Sequence, residues 1–316
     1  MHRYRAFRDI IEVDRDLPEL SPANGSSGYQ IFAGQPAELR PEQYRFVYRW
    51  QPPGGREICR IARKDSSYLF TYPDKVDFRL EERGGITYWQ HQDCSAEMLR
   101  HTLINQALPR LLAHEGRIML HASAVSLAAG QCVLFLGDSG FGKSTLAASL
   151  LDAGATVLAD DCVELFLHDG VIMAVGAYPG LRLREDSRVR AVPRRSDSMQ
   201  SMAQYNGKSV LSLPLETQTA YEVVGCYRLN DPRQNHTQIK LQSLQGAEAM
   251  IGVLQGLFRL DPRDADKRRS EFAAISRLFG AGLQVSALAY PRSYAQLSAV
   301  HARLISAQEG LVRLDR

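Results

Sequence analysis

The first third of the chain alternates apolar and polar residues over short runs, which is the period of β-strands. Residues 44–50 (YRFVYRW), 56–64 and 67–72 follow this pattern, and turn residues such as those of 51–55 (QPPGG) separate them. We therefore predict a small β-rich domain over residues 1–93, in which residues 1–27 form a polar, loop-rich start.

A helical period replaces the alternation at residues 95–116, where apolar residues recur every three or four positions. Ser95 is suited to cap the helix start, Gly116 is suited to end it, and Pro109 predicts a kink. We expect the segment 94–116 to connect the small domain to a second domain over residues 117–316.

The second domain mixes both periods. Two apolar runs joined by the turn AAGQ predict a β-hairpin, and a second hairpin is expected to turn at Asp169-Gly170. Residues 186–207 are polar and basic without clear periodicity, and we interpret them as a long loop. The other predicted elements are helices near 143–153, 244–259, 270–279 and 291–307, strands near 156–160, 209–213, 221–229 and 283–288, and a charged loop at 261–269.

Composition narrows the class of protein. The chain has 316 residues, of which 45% are hydrophobic and 23% charged, the balance of a globular protein with one large or two ordinary domains. Its net charge of +3 is too small to argue for nucleic acid or an anionic membrane. The five cysteines lack C-x-x-C spacing and predict free thiols. With no signal-peptide pattern and no apolar run of roughly 20 residues, we expect a cytoplasmic protein without a membrane partner.

Residues 137–144 (GDSGFGKS) satisfy the phosphate-loop pattern G-x-x-x-x-G-K-[ST], and they lie between an apolar strand and a helix. Backbone N–H groups of such a loop curl around phosphate, and the helix N-terminus adds its positive end. We predict that Lys143 contacts the β- and γ-phosphates of ATP and that Ser144 binds Mg²⁺. The expected nucleotide-binding residues are Gly137, Asp138, Ser139, Gly140, Phe141, Gly142, Lys143, Ser144 and Thr145.

Two adjacent aspartates, Asp160 and Asp161, close the strand that follows this helix. If that strand is a parallel neighbour of the strand before the loop, its carboxyl end lies beside the phosphates. One carboxylate would then hold Mg²⁺ through water, and the other would accept a proton from an attacking hydroxyl. A site that only binds metal, or one solvated aspartate at a strand end, is the alternative.

His121 lies 22 residues before Lys143, and a hairpin between the two strands would place it near the mouth of the loop. Taken alone, a histidine at such a position is more often a packed or surface residue.

Together these features resemble one family. The segment 137–165 (GDSGFGKSTLAASLLDAGATVLADDCVEL), with the upstream histidine, is similar to HPr kinase/phosphorylase and more remotely to ATP-dependent phosphoenolpyruvate carboxykinase. The resemblance covers about residues 117–175. It implies an α/β fold with a P-loop catalytic domain built on a mixed sheet. The small β-rich N-terminal domain that the strand pattern predicts precedes this domain and differs from the family's usual N-terminal domain.

The resemblance also implies roles for individual residues. Lys143 would bind the ATP phosphates, Asp161 would be the general base, and His121 would orient the transferring group. Ser144, Asp160 and Asp161 would form the Mg²⁺ site. The downstream family signature has no clear counterpart; Arg182, Arg184, Glu185 or Asp186 lies in the corresponding region and Lys208 follows, each a candidate or else a solvated surface charge.

The order of segments most resembles kinases that phosphorylate lasso-peptide precursors, so the first hypothesis is transfer of the γ-phosphoryl group of Mg·ATP to a serine of a peptide or small protein. Arg188, Arg190, Arg194 and Arg195 would guide an acidic acceptor, or form a solvated loop. The alternatives are a kinase of an HPr-like protein or a small-molecule hydroxyl, and a non-catalytic nucleotide-dependent regulatory module. A homo-oligomer is compatible with the resemblance.

Overall fold

The computed structural model describes residues 1–52, 54–192, 201–205, 208–213 and 219–314, with the backbone alone for 201–205, 208–212 and 308–314. The chain divides into two compact units. The first comprises Met1–Met119 and Phe258–Phe272, and the second comprises Leu120–Leu257 and Ala273–Arg316. The fold is mixed α/β, and each unit is built on a mixed sheet.

The first unit is a sheet whose strands run in the order β1-β2-β3-β8-β7-β6-β5-β4. Its strands β2, β3 and β8 pair in parallel, and the other neighbours pair antiparallel. The strands are β1 (His2–Ala6), β2 (Asp9–Val13), β3 (Tyr29–Ala33), β4 (Arg45–Trp50), β5 (Cys59–Lys64), β6 (Ser67–Tyr72), β7 (Val76–Glu81) and β8 (Gly85–Gln90).

The polar start predicted for residues 1–27 is wrong in part, because β1 and β2 lie within it. Tyr4 and Ala6 are buried on β1, and Ile11 and Val13 are buried on β2. These alternating apolar positions form strands although arginines and acidic residues surround them.

The predicted helix at 95–116 is present as α1 (Ala96–Thr102), a π-helical turn (Leu103–Ala107) and α2 (Leu108–His114). The Ser95 hydroxyl accepts a hydrogen bond from the backbone N–H of Met98 at 3.2 Å, which confirms it as the N-cap. Pro109 lies in the first turn of α2, directly after the π-helical turn. This helix belongs to the first unit rather than between two domains, and residues 258–272 join it there.

The remaining strands are β9 (Ile118–Leu120), β10 (Ala122–Ala128), β11 (Gln131–Leu136), β12 (Thr156–Ala159), β13 (Val163–His168), β14 (Val171–Gly176), β15 (Gly180–Arg184), β16 (Ser201–Tyr205), β17 (Lys208–Ser212), β18 (Tyr221–Leu229), β19 (Lys240–Leu244) and β20 (Val285–Ala289). In the second unit the sheet runs β12-β10-β11-β18, with β14-β13 and β20-β19 beside β18. The strands β15, β17 and β16 form a small separate sheet. Both predicted hairpins are confirmed.

The remaining helices are α3 (Lys143–Asp152), α4 (Glu185–Ala191), α5 (Gly246–Leu254), α6 (Ala265–Gly280) and α7 (Leu297–Leu314). The loop predicted over 186–207 is wrong where α4 and β16 occur, while 193–200 and 206–207 lie outside the described residues. Acidic residues at the start of α4 and arginines at its end suit the helix dipole. The helix α6 begins inside the predicted charged loop, and α7 begins at Leu297 rather than near 291.

The sequence predicts the strand that leads to Asp160 as a direct parallel neighbour of β11. In the structure this strand, β12, does not pair with β11. Because β12 and β11 each pair antiparallel with β10, which lies between them, they point in the same direction one strand apart. The parallel neighbour of β11 is β18, and β20 pairs in parallel with β18. The carboxyl ends of β11, β12, β18 and β20 therefore lie at one edge of the sheet.

All five cysteines are free, as predicted, and the structure shows that all five are buried. Among the helices that the structure describes, none combines the length and the apolar character needed to cross a bilayer.

Candidate active site

The segment between β11 and α3, which we call the glycine-rich loop (137–142), has backbone angles that favour glycine. Gly142, the residue before α3, has φ 87° and lies in the left-handed region. Gly137 has φ 146°, and a β-carbon there would lie 3.1 Å from the Phe141 ring. The backbone conformation therefore explains why glycine occurs at positions 137 and 142 of the phosphate-loop pattern.

Lys143 opens α3 with a buried side chain. Its ammonium group donates hydrogen bonds to the backbone oxygens of Gly137 at 2.7 Å and Asp138 at 3.2 Å. These bonds hold a full positive charge against the loop, where the first N–H groups of α3 add to the positive potential. The combination is suited to an anion with several oxygens.

Asp160 follows β12 directly, and its buried carboxylate is surrounded by hydrogen-bond donors. It accepts from the Ser123 hydroxyl at 2.5 Å, from the backbone N–H of Arg182 at 3.2 Å and from the Ser144 hydroxyl. Burial raises the pKa of Asp160 and the adjacent Asp161 charge adds to this, while the three donors oppose the shift. Asp160 and Ser144 are therefore brought together although 16 positions separate them.

Asp161 has a different environment from its neighbour. Its backbone has φ 70°, an uncommon conformation for a residue with a side chain, of the kind that concentrates at functional sites. Its carboxylate forms an ion pair with Arg182, with 3.3 Å between the carboxylate oxygen and Nη1. The two side chains are only 13% and 10% exposed, so water screens this pair less than a surface pair.

The imidazole of His121 contacts the backbone carbonyl of Asp161. The imidazole Nδ1 lies 2.8 Å from the carbonyl oxygen of Asp161, so Nδ1 carries the proton and donates it. His121 precedes β10, and the pairing of Ala122 with Leu136 places it beside the start of the glycine-rich loop. The predicted hairpin therefore places His121 near the glycine-rich loop, as expected. The residue that the His121 side chain contacts there is Asp161.

The other predicted residues do not all join this cluster. Asp138, Ser139 and Gly140 are exposed on the loop, and Phe141 packs against the core. The Thr145 hydroxyl donates to Ser187 on α4 at 3.3 Å. Glu185 pairs with Arg188, and Asp186 accepts a hydrogen bond from the Tyr294 hydroxyl. The backbone of Lys208 pairs with Arg184 across β15 and β17, and its side chain lies outside the described part of the chain.

The contact between Ser144 and Asp160 fits a Mg²⁺ site. Mg²⁺ prefers hard oxygen ligands and is usually held by one or two carboxylates together with phosphate oxygens and water. Among the described residues no group of three or more His, Cys, Asp and Glu side chains is arranged to hold a metal by itself. The hydroxyl and carboxylate therefore suit an ion that arrives with a phosphate ligand.

Arg292 is a residue that the sequence analysis missed. A β-carbon built on Gly142 would lie 3.2 Å from its Nη1 atom, so this guanidinium lies against the glycine-rich loop. Arg292 follows β20 closely, and the carboxyl end of β20 shares an edge with that of β11. The sequence shows a basic residue after an apolar strand, but only the strand order shows that this strand ends beside the glycine-rich loop.

Asp160→Asn is expected to stabilise the protein at neutral pH when divalent cations are chelated. Because the pKa of Asp160 is raised on folding, its contribution to stability is present at low pH and is lost as pH rises through the folded-state pKa. Asparagine removes that ionisation and keeps hydrogen-bonding groups. At pH 8 in EDTA, we expect thermal unfolding to shift up by about 2–4 °C, which corresponds to roughly 1 kcal/mol. The shift should vanish below about pH 4; a lower Tm for the variant at every pH would contradict this.

No protein-family model matches the chain, and no curated protein matches it. Among solved structures it is similar to the HPr(Ser) kinase/phosphatase from Coxiella burnetii, with 14% sequence identity and a TM-score of 0.32. The alignment covers 62% of this chain and 97% of that chain. At this identity and TM-score the likeness assigns neither a family nor an activity to the chain.

Proposed function

We propose that the chain is an ATP- and Mg²⁺-dependent phosphotransferase that transfers the γ-phosphoryl group to a hydroxyl. The observation that carries this proposal is the pair of adjacent aspartates in unlike environments. Asp160 is buried against Ser144 at the start of α3, while Asp161 turns to Arg182. Two carboxylates held in different surroundings at one site are suited to two different roles.

The glycine-rich loop and Lys143 would bind the phosphate chain of ATP. The ammonium charge of Lys143 neutralises phosphate oxygens, and loop N–H groups hold the chain in a fixed orientation. Ser144 and Asp160 would hold Mg²⁺, which would supply positive charge to neutralise the charge that develops during transfer. Ser123 and the backbone N–H of Arg182 fix the Asp160 carboxylate for this role.

Asp161 would act as the general base. In the transfer step, the acceptor oxygen forms a bond to the γ-phosphorus and the bond from that phosphorus to the bridging oxygen breaks, which releases ADP. The hydroxyl proton passes to the Asp161 carboxylate, from which it is lost to solvent. Arg182 and His121 hold this residue by its carboxylate and by its carbonyl oxygen. Arg182 thereby also places a positive charge beside the reacting groups.

For the acceptor, we propose a serine of a peptide or small protein, such as the C-terminal serine of a ribosomally made lasso-peptide precursor. Support comes from the sequence resemblance and from Arg190 on α4, which follows the strand that carries Arg182. Arg188 on the same helix is paired with Glu185, and the arginines at 194–195 lie outside the described residues. A kinase of an HPr-like protein or of a small-molecule hydroxyl would use the same site with another acceptor. We expect the reaction to occur in the cytoplasm, where ATP is abundant, and a homo-oligomer is compatible with it.

A regulatory module that only binds nucleotide is the competing function. Such a module needs the glycine-rich loop and a metal site, but it has no use for a base. The second aspartate, buried with Arg182 in an uncommon backbone conformation, favours the enzyme over the switch.

The proposal is tested by incubating the full chain with Mg·ATP and serine-containing peptides encoded beside its gene, followed by mass spectrometry. We expect one peptide to gain the mass of a phosphate group on a serine and ADP to form in equal amount. A small-molecule hydroxyl panel in parallel distinguishes the alternative acceptor. Nucleotide binding without ADP formation in any arm would favour the regulatory module.

A further inference from the structure

The guanidinium of Arg292 is a partly buried cation, two of whose donor atoms make no well-aligned hydrogen bond among the described residues. These atoms are Nε and Nη1, which are buried and make no hydrogen bond of normal geometry in the described part of the chain, although the Tyr290 side chain interacts with the guanidinium. Burial lowers the pKa of Arg292, as expected for a cation removed from water. Donors in a partly buried cation that lack well-aligned acceptors are suited to a ligand that supplies acceptor oxygens.

The position of this cation is fixed by the protein. Nη2 donates to the side-chain oxygen of Asn230 at 2.9 Å and to its backbone oxygen at 2.5 Å. The guanidinium carbon also lies 4.1 Å from the centre of the Tyr290 ring, a cation–π distance. These contacts hold Nη2 and one face of the guanidinium, while Nε and Nη1 have no well-aligned acceptor among the described residues.

The Nη1 atom of Arg292 lies against the glycine-rich loop. The Nη1 atom is 3.2 Å from the place that a β-carbon of Gly142 would occupy, so a larger residue there would crowd the arginine. Gly142 immediately precedes Lys143 and the helix α3. Two cations therefore approach the same loop, one from the start of α3 and one from the segment after β20.

We propose that Arg292 is a second phosphate-binding residue, which donates hydrogen bonds from Nε and Nη1 to the polyphosphate chain of the nucleotide in the glycine-rich loop. This inference rests on the proposed nucleotide site and adds a specific donor to it. Arginine suits the role because it stays charged when buried and offers directed N–H groups to phosphate oxygens. The ligand class is a di- or triphosphate, because a chain of phosphates could contact both Lys143 at the start of α3 and Arg292 beside Gly142.

The test is the affinity of the full chain for Mg·pyrophosphate and Mg·ATP by calorimetry, which requires no acceptor and no turnover. We expect Arg292→Gln to weaken both by about 10–100-fold, the usual loss for hydrogen bonds to a charged group. Arg233→Gln is the matched control, since Arg233 lies on the nearby loop after β18 with a side chain 86% exposed. It should change either affinity by less than about twofold.

Arg292→Lys is a second variant for the case in which Arg292→Gln does not fold. It keeps a cation beside Tyr290 but loses the planar set of N–H donors. We expect it to weaken pyrophosphate binding to an intermediate extent. If either folded Arg292 variant binds pyrophosphate as the unchanged chain does, the inference is wrong. If Lys143→Met also leaves pyrophosphate binding unchanged, the proposed nucleotide site fails as well, so the two failures are distinguishable.

Discussion

Asp161→Asn is expected to lower the rate of phosphoryl transfer by about 10²–10⁴-fold, the range that a general base contributes. Asparagine has nearly the same shape as aspartate and cannot accept the hydroxyl proton. Its backbone can keep the left-handed conformation at φ 70°, since asparagine tolerates this region about as well as aspartate does. The His121 bond to the carbonyl oxygen is also retained, so the loss should reflect the carboxylate.

The measurement is turnover with a fixed acceptor, together with the dissociation constant for Mg·ATP from calorimetry. We expect the dissociation constant to stay within about threefold, because the loop, Lys143 and the Ser144–Asp160 contact are unaltered. Asp169→Asn is a matched control: Asp169 also has a positive φ, 51°, but it lies at the exposed β13–β14 turn. Transfer at an undiminished rate by the Asp161 variant would remove the general base from the mechanism.

Lys143→Met is expected to weaken binding of Mg·ATP by about 10–100-fold, through loss of a charge-assisted contact to phosphate. Methionine has a similar length and replaces the buried apolar part of the lysine, so the packing at the start of α3 is largely kept. The variant also leaves the carbonyl oxygens of Gly137 and Asp138 without their lysine donor, and these can turn to water because the loop is partly exposed.

Calorimetry of ATP binding checks this expectation, with Lys240→Met on the exposed strand β19 as the control for loss of a lysine charge. The control should bind ATP like the unchanged chain. Equal affinities of the Lys143 variant and the control would show that the loop does not bind the nucleotide phosphates.

Local patterns were enough to predict most of the elements. Alternation predicted β4, β5 and β6 of the first unit, although not β1 and β2, and Ser95 predicted the start of α1, because each signal is contained in a few neighbouring residues. The helix α4 was missed because its seven residues are rich in arginine and carry few apolar positions. It forms where Ser187 and Ala191 become buried, which is a property of the tertiary structure.

Only those parts of the site that are close together in the sequence could be predicted. The glycine-rich loop, Lys143 and Ser144 are contiguous, and the adjacency of Asp160 and Asp161 is visible in the sequence itself. The direction of β12 was predicted correctly for the wrong reason, since β10 lies between β12 and β11. That insertion depends on which strands pair, and the spacing along the sequence does not specify it.

Arg182 and Arg292 illustrate the remaining difficulty. Arg182 was one of several charged residues in its segment, and only the pairing of β15 with β17 and the bend after β12 bring it to Asp161. Arg292 is 149 positions beyond Lys143, and it reaches the loop because β18 is parallel to both β11 and β20. Such contacts follow from long-range pairing, which a single sequence does not reveal.

The most direct test of the central claim is the fate of the γ-phosphorus of ATP, followed by ³¹P NMR while the full chain, Mg²⁺ and the serine-peptide acceptors react. We predict that the γ resonance is lost, that ADP resonances appear, and that a phosphomonoester resonance grows in equal amount and is absent with Asp161→Asn. An ATP spectrum that stays unchanged over the same period, with the nucleotide bound, would contradict the assignment of phosphoryl transfer to this site.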